Sequence, residues 1–586
     1  MDAIKPRQER RARVREAAGW WALISILGIL QLRGGWHEAN PDAVSYIDIA
    51  TQFSRGNLDA AALSYWSPAY PLCLALMRML LDPLALSPFA VAHFTNFFIW
   101  IASFACFRWF LREVQLAWKT TAPEGQLEAS KFWFRNLSQA IFLWAGLDLM
   151  VLEGETSSLG LITPDLLVTV AVYGIGAAFV RMGSGVREGT AAGIVPGCML
   201  AAGYWVKSAL FPLGIVLLLL VSLFRRAKNR SMVPVAASAI TFLLLSLPLI
   251  YVVSSESGTL SFSRTAALNH AWYVQGEPQF VHWQGGGRSG AATNPTRLIH
   301  VDPDVYEFGG PFPDATYPPW YVPAYWHRGL VTRLTMQDQL SAIRRTSAEY
   351  RQIARQHKLE LFTFLLLLLV TAYGWKGITT DQKILILWCS SSFVMYALVH
   401  VEPRFLPAFI TTAGVCALSP AFWIAHERMR LMRVVALFAI VVFLGKAVFS
   451  TVQTVSFPST RLVQHQSVAR QLERQGIRAG DSVASIGNTF ECYWAVLAGV
   501  RIIAEVPASE RGSFASSPPA LQGRIFDLLA AKGARAVVSS IPPRHPAVWE
   551  RIPETQYWLR ILAPGDGNPA GDSRTGDLER RLRMRN

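Results

Sequence analysis

The chain has 586 residues, of which 52% are hydrophobic and 16% charged, and its formal net charge at pH 7 is +15. This composition, with a mean hydropathy of +0.28, excludes an ordinary soluble globular protein. The positive charge does not indicate a nucleic-acid partner, because the basic residues lie in short segments between apolar runs, as the positive-inside rule requires. We therefore expect a polytopic α-helical membrane protein that binds no nucleic acid.

In chain order, the apolar runs predict about eleven transmembrane helices. Six basic residues between Lys5 and Arg15 place the N-terminal tail, residues 1–18, in the cytoplasm, and an odd number of spans then places the C-terminus outside. The Arg225–Arg230 segment is the strongest cytoplasmic signal further along the chain. The predicted spans cover about residues 19–32, 88–111, 138–152, 160–181, 189–204, 209–224, 233–253, 359–375, 383–400, 405–424 and 432–453.

The transmembrane region, residues 19–454, should carry two large outer loops at 36–87 and 255–358. Within the first loop, the short Pro-bounded apolar stretch 68–81 predicts a helix at the outer surface. From about residue 455 an amphipathic helix is followed by alternating strands and helices, which predicts a small extracytoplasmic α/β domain over 455–565 that packs or docks on its neighbours. The composition of residues 566–586 predicts a disordered tail.

The first outer loop contains a candidate functional segment. Asn40 is a candidate N-cap, Pro41 suits the first helical position, and Asp42 lies in the positive field of the helix start. Asp42 and Tyr46 then share one helical face, and the segment Trp66–Tyr70 follows. Two interpretations are open. These residues form part of a functional site, or Asp42 only stabilises the helix start while Trp66 and Tyr70 only anchor an interfacial segment.

Ionisable residues at the outer ends of other spans indicate a shared cavity. Lys207 and Arg404 break the positive-inside pattern in short outer loops, so each needs an anionic partner. Either these side chains snorkel or pair with Glu402 or the other outer acids, or they hold a bound anion such as a phosphate at the membrane surface. The remaining members of the set are Glu153, Glu155, Asp165, His400 and Glu402.

The order of these motifs resembles that of the polytopic GT-C glycosyltransferases, particularly family-39-like bacterial proteins related to protein O-mannosyltransferases and lipid A aminoarabinose transferases. The resemblance covers about residues 15–425. It rests on Asn-Pro-Asp-Ala-Val-Ser-Tyr-Ile-Asp-Ile-Ala (40–50), Trp-Ser-Pro-Ala-Tyr-Pro (66–71), Thr-Pro-Asp (163–165), Gly-Tyr-Trp-Val-Lys (203–207) and Glu-Pro-Arg-Phe-Leu-Pro (402–407).

The resemblance implies a polyprenyl-phosphate-linked sugar donor, a lipid, glycan or protein acceptor, and transfer outside the bacterial inner membrane. It implies that Asp42 is the catalytic carboxylate and that Lys207 and Arg404 hold the donor phosphate. The chain carries Asp42-Ala43 where the mannosyltransferases carry adjacent Asp and Glu. This departure leaves both a protein acceptor and a divalent metal cofactor open. The expected substrate-binding residues are Tyr46, Trp66, Tyr70, Glu155, Asp165, His400 and Glu402.

Two other functional classes compete with this interpretation. A transporter of lipid-linked sugars should carry polar residues near the bilayer midplane, whereas here they lie at span ends. A non-catalytic scaffold would tolerate substitution of Lys207 and Arg404. The aromatic segment 317–327 suits stacking on sugar rings and suits a lid at the membrane interface equally.

Overall fold

A computed structural model describes residues 4–58, 65–118, 124–183, 189–282, 285–286, 290–291, 296–308, 315–321, 326, 332–371, 377–424, 429–542 and 548–562. The predicted disordered tail, 566–586, and parts of the aromatic segment 317–327 lie outside these residues.

A helix coincides with each of the eleven predicted spans. Within the described part of the chain, six helical segments are long and apolar enough to cross a membrane by length and composition, and Thr190–Val206 and Pro407–Pro420 are shorter apolar helices. The helices at the predicted spans are Ile4–Gly34, Pro88–Leu116, Glu124–Trp144, Asp165–Gly183, Thr190–Val206, Leu210–Ala227, Val233–Ser257, Lys358–Thr371, Thr380–Ala397, Pro407–Ile424 and Met429–Ser456.

The helix Asp165–Gly183 runs through the middle of this bundle. Of its most apolar stretch, 83% is buried, against 28% for the helix Val233–Ser257 at the periphery. Peripheral helices expose leucines such as Leu219 and Leu244, which face the hydrocarbon of a bilayer rather than water. The central helix therefore has both of its ends enclosed by other segments, and each end meets charged residues.

A seven-stranded mixed sheet lies in the C-terminal half of the chain. Its parallel centre consists of β5 (Ser482–Gly487) between β6 (Arg501–Pro507) and β7 (Ala536–Ser539), as the sequence predicted. Two further strands, β3 (Thr296–His300) and β4 (Val305–Phe308), come from the loop between two spans and add to β6 in antiparallel fashion. The other strands are β8 (Glu550–Arg551) and β9 (Trp558–Ile561), and the short pair β1 (Gly285–Gly286) and β2 (Gly290–Ala291) stands apart. The strand order of the large sheet is β3-β4-β6-β5-β7-β9-β8.

Shorter helices complete the structure. The first outer loop folds into Asp42–Ser54 and Ala69–Leu81, the second of which exposes Leu76, Met79 and Leu80, as a surface helix at an interface should. The amphipathic helix predicted at 460–475 is Arg461–Arg474. The remaining helices are Ala266–Tyr273, Pro318–Tyr321, Met336–Gln356, Tyr493–Ala498, Arg511–Ser516 and Pro519–Ala531.

The predicted N-cap at Asn40 is wrong. The helix begins at Asp42 and no side chain caps it, while Asn40 Oδ1 accepts a hydrogen bond from the backbone N–H of Ile162 at 2.9 Å. The Asn40 side chain is buried, and it therefore satisfies a donor of the segment that leads to Asp165. Asn40 therefore connects the first loop to the segment before Asp165 instead of capping the helix that begins at Asp42.

Two segments that come later in the chain, 461–462 and 315–321, form hydrogen bonds with the first loop. Arg461 donates to the carbonyl of Ala39 at 2.6 Å, and Leu462 N–H donates to the carbonyl of His37 at 3.0 Å. On the other side, the Asp48 carboxylate accepts from Thr316 N–H and Oγ1, each at 2.8 Å. The helix that carries Asp42 is therefore held near its start by the helix Arg461–Arg474 and along its length by the 315–321 segment.

Candidate functional site

The first residue of the central helix, Asp165, connects two of the predicted site cations. Its Oδ1 accepts a hydrogen bond from Lys207 Nζ at 2.8 Å, and its Oδ2 lies 3.5 Å from Arg404 Nε. The Asp165 side chain is only 4% exposed, whereas that of Lys207 is 23% exposed. A buried carboxylate at a helix N-terminus is stabilised by the helix dipole and by these charges. Asp165 therefore positions both cations beside each other.

Arg404 lies at the centre of the cluster. Its Nε donates to Glu402 Oε2 at 2.6 Å, and its Nη2 lies 3.7 Å from Asp42 Oδ2. The first distance is that of a strong charge-assisted hydrogen bond, whereas the second is too long for one. Nη2 of Arg404 therefore lies beside Asp42 as an ion pair without a direct hydrogen bond between the two side chains.

Burial sets the protonation behaviour of Asp42. Desolvation raises its pKa above the ordinary value of 3.8, and the neighbouring carboxylates of Glu402 and Asp165 act in the same direction. The charges of Arg404 and Lys207 oppose the shift without cancelling it. A carboxylate with a raised pKa is a stronger base, so Asp42 is suited to accept a proton.

The pKa of Glu402 is shifted in the opposite direction from that of Asp42. Burial acts to raise its pKa, but the Arg404 guanidinium and a hydrogen bond from His400 overcome this and hold the pKa at about 2. His400 Nε2 lies 3.0 Å from Glu402 Oε1, and the His400 ring stacks on Tyr273 with centroids 4.1 Å apart. Glu402 therefore remains ionised and orients Arg404.

An aromatic group packs around Tyr46, which lies one helical turn after Asp42. Tyr46 and Trp66 stack with ring centroids 5.0 Å apart, and Tyr70 packs edge-on against Tyr46 at 5.1 Å. The Tyr70 hydroxyl donates to Asn96 Oδ1 at 2.8 Å. These contacts join the helices Asp42–Ser54 and Ala69–Leu81 into one wall, and the Trp66 side chain remains partly exposed on it.

The structure does not bring Glu155 to this cluster. Glu155 forms a hydrogen bond with the Glu38 side chain and lies 3.1 Å from Arg461 Nη1. Burial, the bond to Glu38 and the charge of Glu38 raise the pKa of Glu155 to about 8. This second cluster joins the helix Arg461–Arg474 to the first loop, so Glu155 contributes to packing between these two segments. Glu153 accepts from Gln352 at 3.0 Å and likewise lies outside the Asp42 cluster.

The structure therefore joins Asp42, Asp165, Lys207, Glu402 and Arg404 from four separate segments, with His400 behind Glu402. Lys207 and Arg404 both contact neighbouring acids, as one of the two sequence interpretations held. Sequence reasoning did not single out Phe405, whose ring lies 3.8 Å below Lys207 Nζ, or Glu349, 3.7 Å from His400 Nδ1. Phe405 belongs to the Glu-Pro-Arg-Phe-Leu-Pro motif and directly follows Arg404, and this position in the sequence could have identified it as a site residue.

Metal ligation was left open by the sequence. Among the residues that the structure describes, no group of three or more His, Cys, Asp or Glu side chains has the arrangement to hold a metal ion. The carboxylates of the Asp42 cluster are separated by Lys207 and Arg404, which occupy the positions between them.

No protein-family model matches the chain, and no curated protein matches its sequence. Its fold, however, is similar to solved structures. The crystal structure of ArnT from Cupriavidus metallidurans bound to undecaprenyl phosphate matches with a TM-score of 0.51 at 12% identity, over 95% of this chain and 100% of that chain. The apo state of the same protein also gives a TM-score of 0.51, at 13% identity over 94% and 99% of the two chains.

The Archaeoglobus fulgidus oligosaccharyltransferase, crystallised in complex with Zn and sulfate, matches with a TM-score of 0.50 at 10% identity, over 89% of this chain and 67% of that chain. The fold of the chain is therefore similar to the folds of ArnT and of the archaeal oligosaccharyltransferase, and it is mostly helical with a mixed sheet in its C-terminal half. This confirms the resemblance at the level of the fold, while the family-39-like assignment stays a prediction.

Proposed function

We propose that the chain is a membrane glycosyltransferase that transfers a sugar from a polyprenyl-phosphate donor to an acceptor on the extracytoplasmic face. The observation that carries the proposal is the convergence of Asp42, Asp165, Lys207 and Arg404 at one end of the bundle, in a fold shared with ArnT, which was crystallised with undecaprenyl phosphate. Residue types that suit proton transfer and phosphate binding lie within contact distance of each other.

The proposed reaction is a single displacement with inversion at the anomeric carbon. The acceptor hydroxyl or amine attacks that carbon and gives its proton to Asp42, while the bond from the anomeric carbon to the phosphate oxygen breaks and the lipid phosphate leaves with the electron pair. Lys207 and Arg404 stabilise the charge that develops on the leaving phosphate. That group leaves as a stable anion and needs no general acid.

Asp165 and Glu402 act as positioning residues in this scheme. Each holds a cation by a short hydrogen bond, 2.8 Å for Lys207 to Asp165 and 2.6 Å for Arg404 to Glu402, so the phosphate meets a preorganised pair of donors. Trp66, which is partly exposed and stacks on the buried ring of Tyr46, provides an aromatic surface on which a sugar ring can stack. The sugar and the acceptor are defined here only by this chemistry.

The test is Asp42→Asn, with Asp82→Asn as the matched control. Asp82 is an exposed acid of the same outer loop, so the control removes the same charge without touching the cluster. Mass spectrometry of polyprenyl-phosphate sugars and envelope glycans in strains expressing each variant should show transfer lost only with Asp42→Asn. Both proteins should insert and melt as the parent does. Near-normal transfer by folded Asp42→Asn would overturn the assignment of Asp42 as base.

A further inference from the structure

A cavity of about 570 Å³ lies at the opposite end of the central helix from Asp42. Met182 and Gly183, the last residues of that helix, line it, while Asp165 at its start belongs to the candidate site. A helix of 19 residues spans about 28 Å, so the two places are separated by roughly the hydrocarbon thickness of a bilayer. The cavity is therefore distinct from the Asp42 cluster.

Positive charge dominates the polar lining of this cavity. Four cations, Arg225, Lys228, Arg230 and Lys383, face one acid, Asp381. The Asp42 cluster has the opposite balance, with three carboxylates and two cations. Excess positive charge in a concave site is the electrostatic condition for binding an anion.

Hydrogen bonds hold three of these four cations in place. Arg230 donates to the carbonyl of Gly183 at 2.9 Å, and Lys228 donates to Thr380 Oγ1 at the start of the next helix. Arg225 is only 6% exposed, and its Nε donates to the carbonyl of Ser231 at 2.8 Å. The positive-inside rule accounts for basic residues in this loop, but it does not require a buried arginine or a cavity.

Most of the remaining lining is apolar. Phe179, Phe224 and Ile384 are among the apolar residues that line the cavity. A ligand that matches both parts has an anionic head and a hydrocarbon tail, and basic pockets between transmembrane helices are known places for phospholipid headgroups. The volume is within the range of small-molecule sites.

We propose that this cavity binds the phosphate headgroup of an anionic membrane lipid at the membrane face opposite the Asp42 site. The phosphate oxygens accept from Lys228, Arg230 and Lys383, and the first part of the lipid chain lies against the apolar walls. Free phosphate shares the headgroup chemistry but lacks the chain. The proposal does not depend on the proposed transferase activity, because it concerns binding at other residues.

The experiment titrates the purified full-length protein in detergent with dioctanoyl phosphatidic acid and follows binding by native mass spectrometry. Removal of one charge-assisted hydrogen bond lowers affinity by about ten-fold, so Lys228→Gln with Arg230→Gln should weaken binding by about ten- to a hundred-fold. Arg226→Gln is the matched control, because Arg226 is exposed in the same basic segment, 225–230, and does not line the cavity. The affinity of this control should stay at the parent value.

Lys383→Gln gives an independent readout at an exposed side chain on another helix and should weaken binding by several-fold. Thermal unfolding of each variant shows whether it is folded. Equal affinity of the double variant and Arg226→Gln would overturn the site. Displacement of the lipid by an equal concentration of inorganic phosphate would overturn the lipid assignment, and so would equal binding of zwitterionic dioctanoyl phosphatidylcholine.

Discussion

Replacing Arg404 by Gln separates a phosphate-binding role from a structural one. In the structure Arg404 Nε bonds Glu402 at 2.6 Å, while Nη2 stands 3.7 Å from Asp42, too far for a hydrogen bond to that carboxylate. A charge-assisted hydrogen bond to phosphate contributes about 1.5–3 kcal/mol. Loss of one such bond should weaken binding of undecaprenyl phosphate by about ten- to a hundred-fold.

The same substitution also removes the guanidinium that pairs with Glu402 and one of the two cations beside Asp165, which keeps Lys207. The Arg404 side chain is 13% exposed and that of Asp165 is 4% exposed, so the ion pairs are largely buried. Breaking a buried pair costs about 3–5 kcal/mol of folding stability. The melting temperature should therefore fall in Arg404→Gln whatever the functional role of the residue.

Glu402→Gln is the comparison that decides between the two roles. It breaks the same ion pair and should lower the melting temperature, but it keeps the guanidinium that would hold the phosphate. Affinity for undecaprenyl phosphate and thermal unfolding are measured on the same preparations. We expect Arg404→Gln to lose both and Glu402→Gln to lose stability alone. Arg404→Lys should also bind undecaprenyl phosphate more weakly than the parent, because an ammonium cannot form a bidentate pair with a phosphate. Unchanged affinity in a destabilised Arg404→Gln would make Arg404 structural.

The structure supports three further predictions. Because burial raises the pKa of Asp42, kcat/KM for transfer should be lost as pH falls through a value above 3.8; an acidic limb at or below 3.8 would contradict this. The raised pKa of Glu155 means that its contribution to stability is present below its ordinary value of 4.5 and is lost as pH rises toward about 8. Glu155→Gln keeps a donor to Glu38 and should flatten that part of the pH dependence of the melting temperature. Cysteines placed at positions 228 and 290 should react with a membrane-impermeant reagent in intact cells only at 290; the reverse pattern would invert the topology.

The sequence located the helices because their cause is local. Length, hydropathy and the sidedness of Lys and Arg placed a predicted span at every helix of the bundle. The same rule singled out Lys207 and Arg404, since each violates it in a short loop. The sequence did not show that Asp165 contacts both cations, because that depends on how three separate segments pack.

The other differences between prediction and structure arise from contacts between residues that are far apart in the sequence. The strands Thr296–His300 and Val305–Phe308 join a sheet whose next strand, Arg501–Pro507, comes some two hundred residues later. Glu155 stands in a loop that precedes Asp165, and its pairing with Arg461 spans 306 positions. No local pattern distinguishes a carboxylate that packs a domain from one that faces a ligand. Asn40 illustrates the same limit, since its local pattern predicted a cap and its side chain bonds Ile162 instead.

The charges of the Asp42 cluster bear directly on how an anionic donor binds there. Asp42, Asp165 and Glu402 against Lys207 and Arg404 give one excess negative charge when all are ionised, which opposes a phosphate. Glu402 remains ionised at neutral pH, whereas the pKa of Asp42 is raised, so Asp42 is the group whose protonation relieves the excess. Two unit charges 4 Å apart interact by about 1 kcal/mol in water and about 4 kcal/mol at a protein surface. Neutral Asp42 should therefore favour donor binding and ionised Asp42 should favour proton acceptance, so that Asp42→Asn binds undecaprenyl phosphate at least as tightly as the parent while transferring no sugar. Weaker binding of undecaprenyl phosphate by Asp42→Asn, measured in the same titration as Arg404→Gln, would contradict the claim that the charge of Asp42 opposes the donor phosphate.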